Sequence, residues 1–413
     1  MIREGRGEGV VVLGAGLAGL SAALHAGPRA RLFEAAGRVG GACATDRIGA
    51  YAYDHSGHLL HLQRRVLRRW VEKAMPGAWR RLRRDARVRV RGRDMRYPIQ
   101  ANTYGLDAET RGACLLDFLR AATAAAPAAP RDFRAWARGR FGDSLSRLFF
   151  EPYNRKLWTL PPERLTTEWL GRFVPRPDAA RMVEGAFRDR PFTGGYNAVF
   201  WYPRRGGIGA LPEAMAARVP GLILGAPVER VDARRRRVHV RGLGEFAWRR
   251  LVSTLPLPAL VARLADPPRS VVGAAARLRA NSVLVVNVVI RRRPHACHWM
   301  YFPESEFIFH RVGFPSNYGR LSPPGTHILA AEIALPAGTG WNRRRGLAAR
   351  TRRDLIRAGL LSAADEVAAE HLQYLPYAYV IYDRDYAAAR RTVLAYLERH
   401  GVFSIGRWGG WTY

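Results

Sequence analysis

The chain has 413 residues, 48% of them hydrophobic, enough for a large core and two or three structural modules. Its formal charge is +33, from 67 basic and 34 acidic residues, but only Lys73 and Lys156 are lysines, an arginine bias of the kind a GC-rich genome produces. No apolar run is long enough to span a membrane, no helix-turn-helix, RRM or zinc-finger signature accompanies the charge to indicate nucleic acid, and the scattered Cys43, Cys114 and Cys297 give neither a disulfide framework nor a metal spacing.

"VVVLG" (10–14) predicts a short buried strand, "AGLAGLSAALHAG" (15–27) a helix and "ARLFEA" (30–35) a second strand. A glycine motif this early leaves no room for a cleavable signal peptide, so a reducing cytoplasm is the expected location. Helical patterning covers 61–75 and 105–150, interrupted by the low-complexity "AATAAAPAAP" (121–130), expected as an exposed connection. Residues 88–99 alternate like a hairpin strand, and 227–242 predict two strands around a turn. Residues 250–256 predict a strand entering a loop; 281–290 and 306–314 are further buried strands; 365–382 begin helical and then turn extended. There is no internal repeat.

This mixture predicts an α/β fold: a discontinuous Rossmann-type domain with a helical insertion and an antiparallel β-sheet domain facing the substrate. The first is expected from 8–85, 200–265 and 375–413, the insertion from 103–190, and the substrate sheet from 86–102 and 270–374.

The dinucleotide fingerprint is Gly14-Ala15-Gly16-Leu17-Ala18-Gly19, between a strand and a helix. Gly14 permits the tight turn, Gly16 lets backbone approach a pyrophosphate, and Gly19 lets helix and strand pack closely. Glu34 ends the second strand, where a carboxylate meets an adenosine ribose. Ala35, Arg38, Gly40, Gly41 and Ala42 follow in a glycine-rich turn that resembles the second phosphate turn of glutathione-reductase-like flavoproteins. "APVERVD" (226–232) resembles the strand whose Val228 backbone contacts adenine there, which implies FAD rather than NAD.

Several further stretches, in order along the chain, resemble the UDP-galactopyranose mutases, particularly the eukaryotic type, within the amine oxidase and protoporphyrinogen oxidase-like flavoproteins. They are "DHSGHLL" (54–60), "RYPIQAN" (96–102), "EPYNRKLWTLPPERLTTEWLGRFVP" (151–175), "GGYNAVFWYPRRGGIGALPEAMA" (194–216), "WMYFPESEFIFHRVGFPSNY" (299–318) and "GRWGGWTY" (406–413). The resemblance implies a nucleoside diphosphate sugar as substrate. Arginine forks and rigid phenols suit a diphosphate, and Arg311, Tyr301, Tyr318, Tyr379, Arg407 and Tyr413 are the implied clamp. Arg407 also belongs to the implied cofactor set. On a strand, the even spacing of Arg407 and Tyr413 places both on one face.

Tyr97, Gln100, Asn102, Asn154 and Trp158 are implied on the uridine side, with amides reading base edges and Trp158 offering a stacking face. Asn197 and His58 are implied near sugar and flavin, with Gly57 in the loop over the flavin. In such enzymes reduced-flavin N5 attacks the anomeric carbon, UDP leaves, and the sugar recloses as a furanose. No side-chain nucleophile and no metal is needed, and NADPH or NADH is the candidate reductant.

The family pattern has an arginine soon after WLG; in ungapped register that position is Phe173, with Arg172 and Arg176 close by. The family also continues past GRWGGWTY, so a shortened form is expected here. Two alternatives stay open. One is a flavin oxidoreductase of the amine oxidase, protoporphyrinogen oxidase or phytoene desaturase kind, which needs a wide apolar tunnel. The other is an inactive flavin-binding relic. The charge leaves peripheral contact with an anionic membrane open, and the oligomeric state is not legible.

Overall fold

The computed structural model describes residues 9–124, 130–171, 173–192, 194–195 and 197–413, with no side-chain description for 341–343. Arg172 and residues 125–129 of the expected connection lie outside these. The remaining start of that connection is helical, since one helix runs Ala108–Thr123.

The Val/Leu run at Val10–Leu13 forms a strand whose last three residues are buried. It pairs in parallel with Arg31–Phe33 on one side and Arg250–Ser253 on the other. Leu222–Ile223 and Val402–Ser404 complete a five-stranded parallel sheet. Four distant parts of the chain thus meet in one layer. Parallel sheets need cover on both faces, and Val11, Val12, Leu13, Leu32 and Leu251 are all at most 2% exposed. The turn after Val10–Leu13 and the helix that follows it, Leu17–Ala26, each allow no side chain at one place. Gly14 has φ +91° and a Cβ there would lie 2.4 Å from the Thr254 hydroxyl; at Gly19 it would lie 1.8 Å from the Gly14 carbonyl oxygen.

A seven-stranded sheet stands beside it, in the order Val367–Val380, Ala280–Ile290, His327–Pro336, Arg311–Gly313, Trp299–Tyr301, Ala86–Val90, Arg93–Arg96. It is not wholly antiparallel as expected: Trp299–Tyr301 runs parallel to Ala86–Val90. Val367–Val380 is extended throughout, where a helical start was expected. Its register along Ala280–Ile290, buried from Asn281 onward, with Val286 opposite Leu372 and Val288 opposite Glu370, overrides the local helix preference. The strand also crosses the 374/375 boundary expected from sequence.

Of the expected strand 306–314 only Arg311–Gly313 forms. Phe307 and Phe309 turn inward against Phe302, and the Ile308 amide donates to Asp354 Oδ2 (2.9 Å) instead of to a strand. The helix expected over 61–75 spans Arg65–Ala74, because Leu60 is held by a backbone bridge to Trp201.

A group of helices, including Ala108–Thr123, Phe133–Phe141, Glu151–Trp158 and Ala179–Phe187, packs together, and Glu151–Trp158 lies against strand His327–Pro336. Asp107, Asp132 and Asp178 cap three of these, each accepting from a backbone N–H three residues on. A π-helical turn, Ser146–Phe150, feeds Glu151–Trp158 and buries Phe149 and Phe150.

The last residues are not a strand. Gly406–Gly409 is a single helical turn. Tyr386 donates its hydroxyl to the Trp411 carbonyl (2.8 Å), the Tyr413 amide donates to Tyr382 (2.6 Å), and Arg390 donates to the Gly410 carbonyl (2.6 Å). Trp411 is 1% exposed at the centre of this arrangement. Truncating so large a buried side chain costs about 3–5 kcal/mol. Trp411→Ala is therefore expected to lower the urea midpoint and to release Tyr413; a midpoint equal to the parent's contradicts this packing role.

Candidate functional site

A cleft of about 740 Å³ opens at the carboxyl ends of the parallel strands, where α/β sheets bind their ligands. Gly14, Gly16, Leu17, Ala18, Glu34, Ala35, Gly40, Gly41, Ala42, His58, Val228 and Arg407 all line it. Ala15 and Gly19 lie behind this surface. Glu34 is fixed by the sequence's own turn: Ala15 N donates to Oε2 (2.6 Å) and Ala36 N to Oε1 (2.9 Å).

These residues fit a dinucleotide. Helix Leu17–Ala26 begins with no side-chain cap, so its first amides face the cleft with the positive end of the dipole. The nearest atom to a hypothetical Gly16 Cβ is 3.9 Å away, which leaves space for phosphate against the backbone.

Arg38 does not line the cleft. Its guanidinium pairs with Asp46 and lies 2.9 Å from His55 Nε2. Asp46 also accepts from Gln373 (2.8 Å) and lies 3.1 Å from His371 Nε2, on the seven-stranded sheet. Burial opposes the Asp46 charge, and the hydrogen bonds of His55, Gln373, His371 and Arg38 outweigh it, holding its carboxyl well below the usual range. Arg38 thus ties the glycine turn to the neighbouring sheet.

His58, Ala42, Tyr377, Arg407 and Trp408 border both this cleft and a second cavity of about 320 Å³. His58 Nδ1 lies 2.6 Å from the His55 carbonyl, so Nδ1 carries the hydrogen and donates it, leaving Nε2 as an acceptor. Burial, with Arg407 and Arg311 nearby, pulls its pKa down to about 3, so the ring is neutral near pH 7.

The second cavity collects every residue of the expected clamp: Arg311, Tyr301, Tyr318, Tyr379, Arg407 and Tyr413, together with Asn197 and Gly57. Strand register explains part of this convergence. Tyr301 stands opposite Arg311, and Arg311 opposite Glu332. Arg311 Nη2 donates to both Glu332 oxygens, at 2.8 and 2.7 Å. Burial works against the Arg311 charge, but Glu332 and the neighbouring phenols keep its pKa raised. Burial also raises the phenol pKa values of Tyr301, Tyr318 and Tyr379, so their hydroxyls remain donors. Arg407 lies over the Tyr413 ring, 4.6 Å from its centroid. The two meet through the helical turn rather than by strand alternation.

A third cavity, about 130 Å³, adjoins the second through Tyr153, Phe173, Asn197, Tyr301, Tyr379 and Tyr413. Tyr97, Gln100, Asn154 and Trp158 line it; Asn102 does not. Asn102 donates to the Pro98 carbonyl (3.1 Å) and accepts from Arg181 (3.2 Å), which turns its amide away. Both ends of the Asn154 amide are engaged, donating to the Phe150 carbonyl (2.8 Å) and accepting from Trp158 Nε1 (2.9 Å). Trp158 is only 2% exposed, so it supports the wall more than it offers a face. Gln100 donates to Pro175 (2.7 Å), while its Oε1 is buried without a hydrogen-bond partner.

Sequence reasoning did not single out Tyr153, Arg84, Glu332, Tyr377 or Trp408. Tyr153 stacks on Phe149 at 5.3 Å and borders both smaller cavities; its place in "PYN" was the available signal. Arg84 donates to Asn197 and lies 4.8 Å from the Tyr97 ring centroid. Phe173, where an arginine was expected, packs 4.9 Å from the Tyr413 ring.

The family model described as flavin containing amine oxidoreductase matches residues 17–379. A solved structure of reduced UDP-galactopyranose mutase aligns with a TM-score of 0.91 at 25% identity, over 98% of this chain and 91% of that one. A protein from Exiguobacterium sp. 255-15 assigned as a protoporphyrinogen oxidase aligns at TM-score 0.73 and 18% identity, over 96% and 93% of the two chains. A putrescine oxidase bound to putrescine aligns at TM-score 0.63 and 17% identity, over 98% and 94%. The latter two show likeness of fold.

The neutral histidines give the site a pH signature. Burial holds His58 at about 3 and His298, in the same cavity, at about 4. Unfolding restores ordinary values near 6.5, so the unfolded chain binds more protons between these limits. Their contribution is complete above that range and declines as pH falls, by up to about 1.4 kcal/mol per pH unit for each group. His58→Asn is expected to show a shallower loss of stability than the parent between pH 6.5 and 4.5 in urea titrations. Equal slopes contradict the assignment.

Proposed function

We propose that this chain, which belongs to the flavin containing amine oxidoreductase family, is an FAD-dependent nucleotide-sugar mutase interconverting UDP-galactopyranose and UDP-galactofuranose. One observation carries the reading: two arginines and four tyrosines, drawn from residues 301 to 413, converge on a cavity that shares five lining residues, His58 and Arg407 among them, with the dinucleotide cleft. The 25% identity to a reduced UDP-galactopyranose mutase over nearly the whole chain supports it.

In this reading, 8–85, 200–265 and 375–413 form the FAD-binding domain, 103–190 the helical insertion, and 86–102 with 270–374 the substrate domain, except that strand Val367–Val380 is counted whole with the substrate sheet. The amides after Gly14 hold the FAD pyrophosphate, Glu34 meets the ribose, and Val228 borders the adenine. Bound and reduced, with NADPH or NADH as reductant, FAD supplies the nucleophile for the anomeric carbon.

The protein's own residues do the rest. Arg311 and Arg407 hold the sugar nucleotide's diphosphate and stabilise the charge that grows on it as its bond to the sugar breaks. The phenols of Tyr301, Tyr318, Tyr379 and Tyr413 donate hydrogen bonds to the same oxygens from rigid positions. Tyr97, Tyr153 and the unpartnered Gln100 oxygen form the uridine end. Neutral His58, with Asn197, positions the sugar without protonating it.

An amine- or porphyrin-oxidising enzyme needs a wide apolar passage. Here the space beside the cleft is small and is lined by the Arg311–Glu332 pair and by Arg407, charges that an apolar substrate would desolvate without offering a hydrogen bond in return.

Dithionite-reduced protein is expected to convert UDP-galactofuranose to UDP-galactopyranose, with no turnover by the oxidised form. Turnover in the oxidised form alone, or peroxide release with an amine, contradicts the proposal. Arg311→Ala removes charge-assisted hydrogen bonds worth about 1.5–3 kcal/mol. Its affinity for UDP, followed by tryptophan quenching, is expected to drop roughly tenfold or more; unchanged affinity removes Arg311 from the clamp.

A further inference from the structure

Glu332 is 1% exposed and borders the central cavity, an unusual place for an acid beside a proposed diphosphate. Its contacts are specific. Oε1 accepts from the Gly57 amide (3.2 Å) and from Arg311 Nη2 (2.8 Å); Oε2 accepts from the same nitrogen (2.7 Å). His310 Nε2 lies 3.7 Å from Oε2, but burial pushes the His310 pKa well down, with Arg311 and Lys156 adding to the effect. The ring is therefore neutral and offers no compensating charge. Arg311 is the cation that balances Glu332.

Among the described residues, the close hydrogen bonds of Arg311 run through Nη2, while Nε is buried without a partner. The carboxylate thus holds Nη2 and fixes the orientation of the guanidinium. Gly57 completes the arrangement: a Cβ there would lie 3.3 Å from Arg311 Nη2 and 3.6 Å from Glu332 Oε1. The loop carrying His58 is pinned to the carboxylate that orients Arg311.

We propose that Glu332 is a positioning residue and counter-charge. It orients Arg311 toward the substrate diphosphate, joins that arginine to the His58 loop, and offsets its charge so that UDP is held only moderately. This rests on the diphosphate-clamp reading above.

The counter-charge role has an unusual consequence: removing it tightens binding. Glu332→Gln keeps an acceptor at the Oε1 position but leaves the Arg311 charge uncompensated a few ångströms from the diphosphate. A unit charge at that range changes affinity by roughly tenfold or more at protein-like dielectric. The test is UDP titration of the flavin-loaded protein, with steady-state kinetics of the reduced form. Glu332→Gln is expected to bind UDP roughly tenfold more tightly, with KM and kcat both falling as the product sugar nucleotide, which carries the same diphosphate, leaves more slowly. A residue with only a structural role would raise KM instead.

Equal or weaker UDP binding by a variant with normal flavin content and normal melting overturns the proposal. If Glu332→Gln fails to fold, Glu332→Asp takes its place. It keeps the charge, so its UDP affinity is expected to stay within about threefold of the parent, and a larger gain or loss overturns the proposal. A parent protein that does not bind UDP at all overturns the clamp reading itself, and this inference with it.

Discussion

A cation that must bind a diphosphate has to be dry enough to bind strongly and still survive burial before the ligand arrives. Burying an unpaired guanidinium costs several kcal/mol. Here the cost is met by register: strand Arg311–Gly313 lies between Trp299–Tyr301 and His327–Pro336, so Tyr301, Arg311 and Glu332 form one transverse row. The carboxylate sits on the more buried side, and the guanidinium faces the cavity. The rest of the site is arranged around that row. Gly57 is bonded to its end, Tyr379 arrives on the outer strand, and helix Glu151–Trp158 brings Tyr153 against Tyr301 (5.4 Å).

The same row explains how two ligand regions become continuous. The dinucleotide cleft belongs to the parallel sheet, while Tyr301, Arg311 and Tyr379 of the proposed clamp come from the seven-stranded sheet. What joins them is short: the His55–His58 loop, fixed to Glu332 on one side and through Asp46 to Gln373 and His371 on the other. The chain end closes the junction, since Arg407 borders both cavities and is set by a turn locked around Trp411. In the proposed reading, a flavin in the cleft would meet the sugar beside the neutral His58, with Arg407 close to both.

Much of this was legible because it depends on local sequence. The strand–Gly14–helix unit and Glu34 are short-range features, and the cleft contains them as expected. That the residues proposed as a clamp share one cavity was legible only through the ordered motifs that carry them, because nothing in a single segment says that Tyr301 and Arg407 meet.

The errors share a cause. Val367–Val380 has a helical beginning in its composition and becomes strand because a buried neighbour pairs with it. Arg407 and Tyr413 come together by a helical turn and a ring–guanidinium contact, not by period-two spacing. Arg38 and Asn102 are polar groups whose partners, Asp46 and Arg181, lie elsewhere in the sequence, so their diversion from the cavities could not be read locally. Glu332 was invisible for the same reason: its meaning comes entirely from the strand opposite.

The central claim is geometric, that one elongated anionic ligand lies across the second and third cavities with its diphosphate between Arg311 and Arg407. A crystal structure of the reduced, FAD-loaded protein with UDP tests this most directly. The account predicts diphosphate oxygens within about 3 Å of both guanidinium groups, uracil beside Tyr97 and Gln100, and the distal phosphate toward His58. UDP found elsewhere, or lying in the second cavity with its diphosphate away from Arg311, would contradict it.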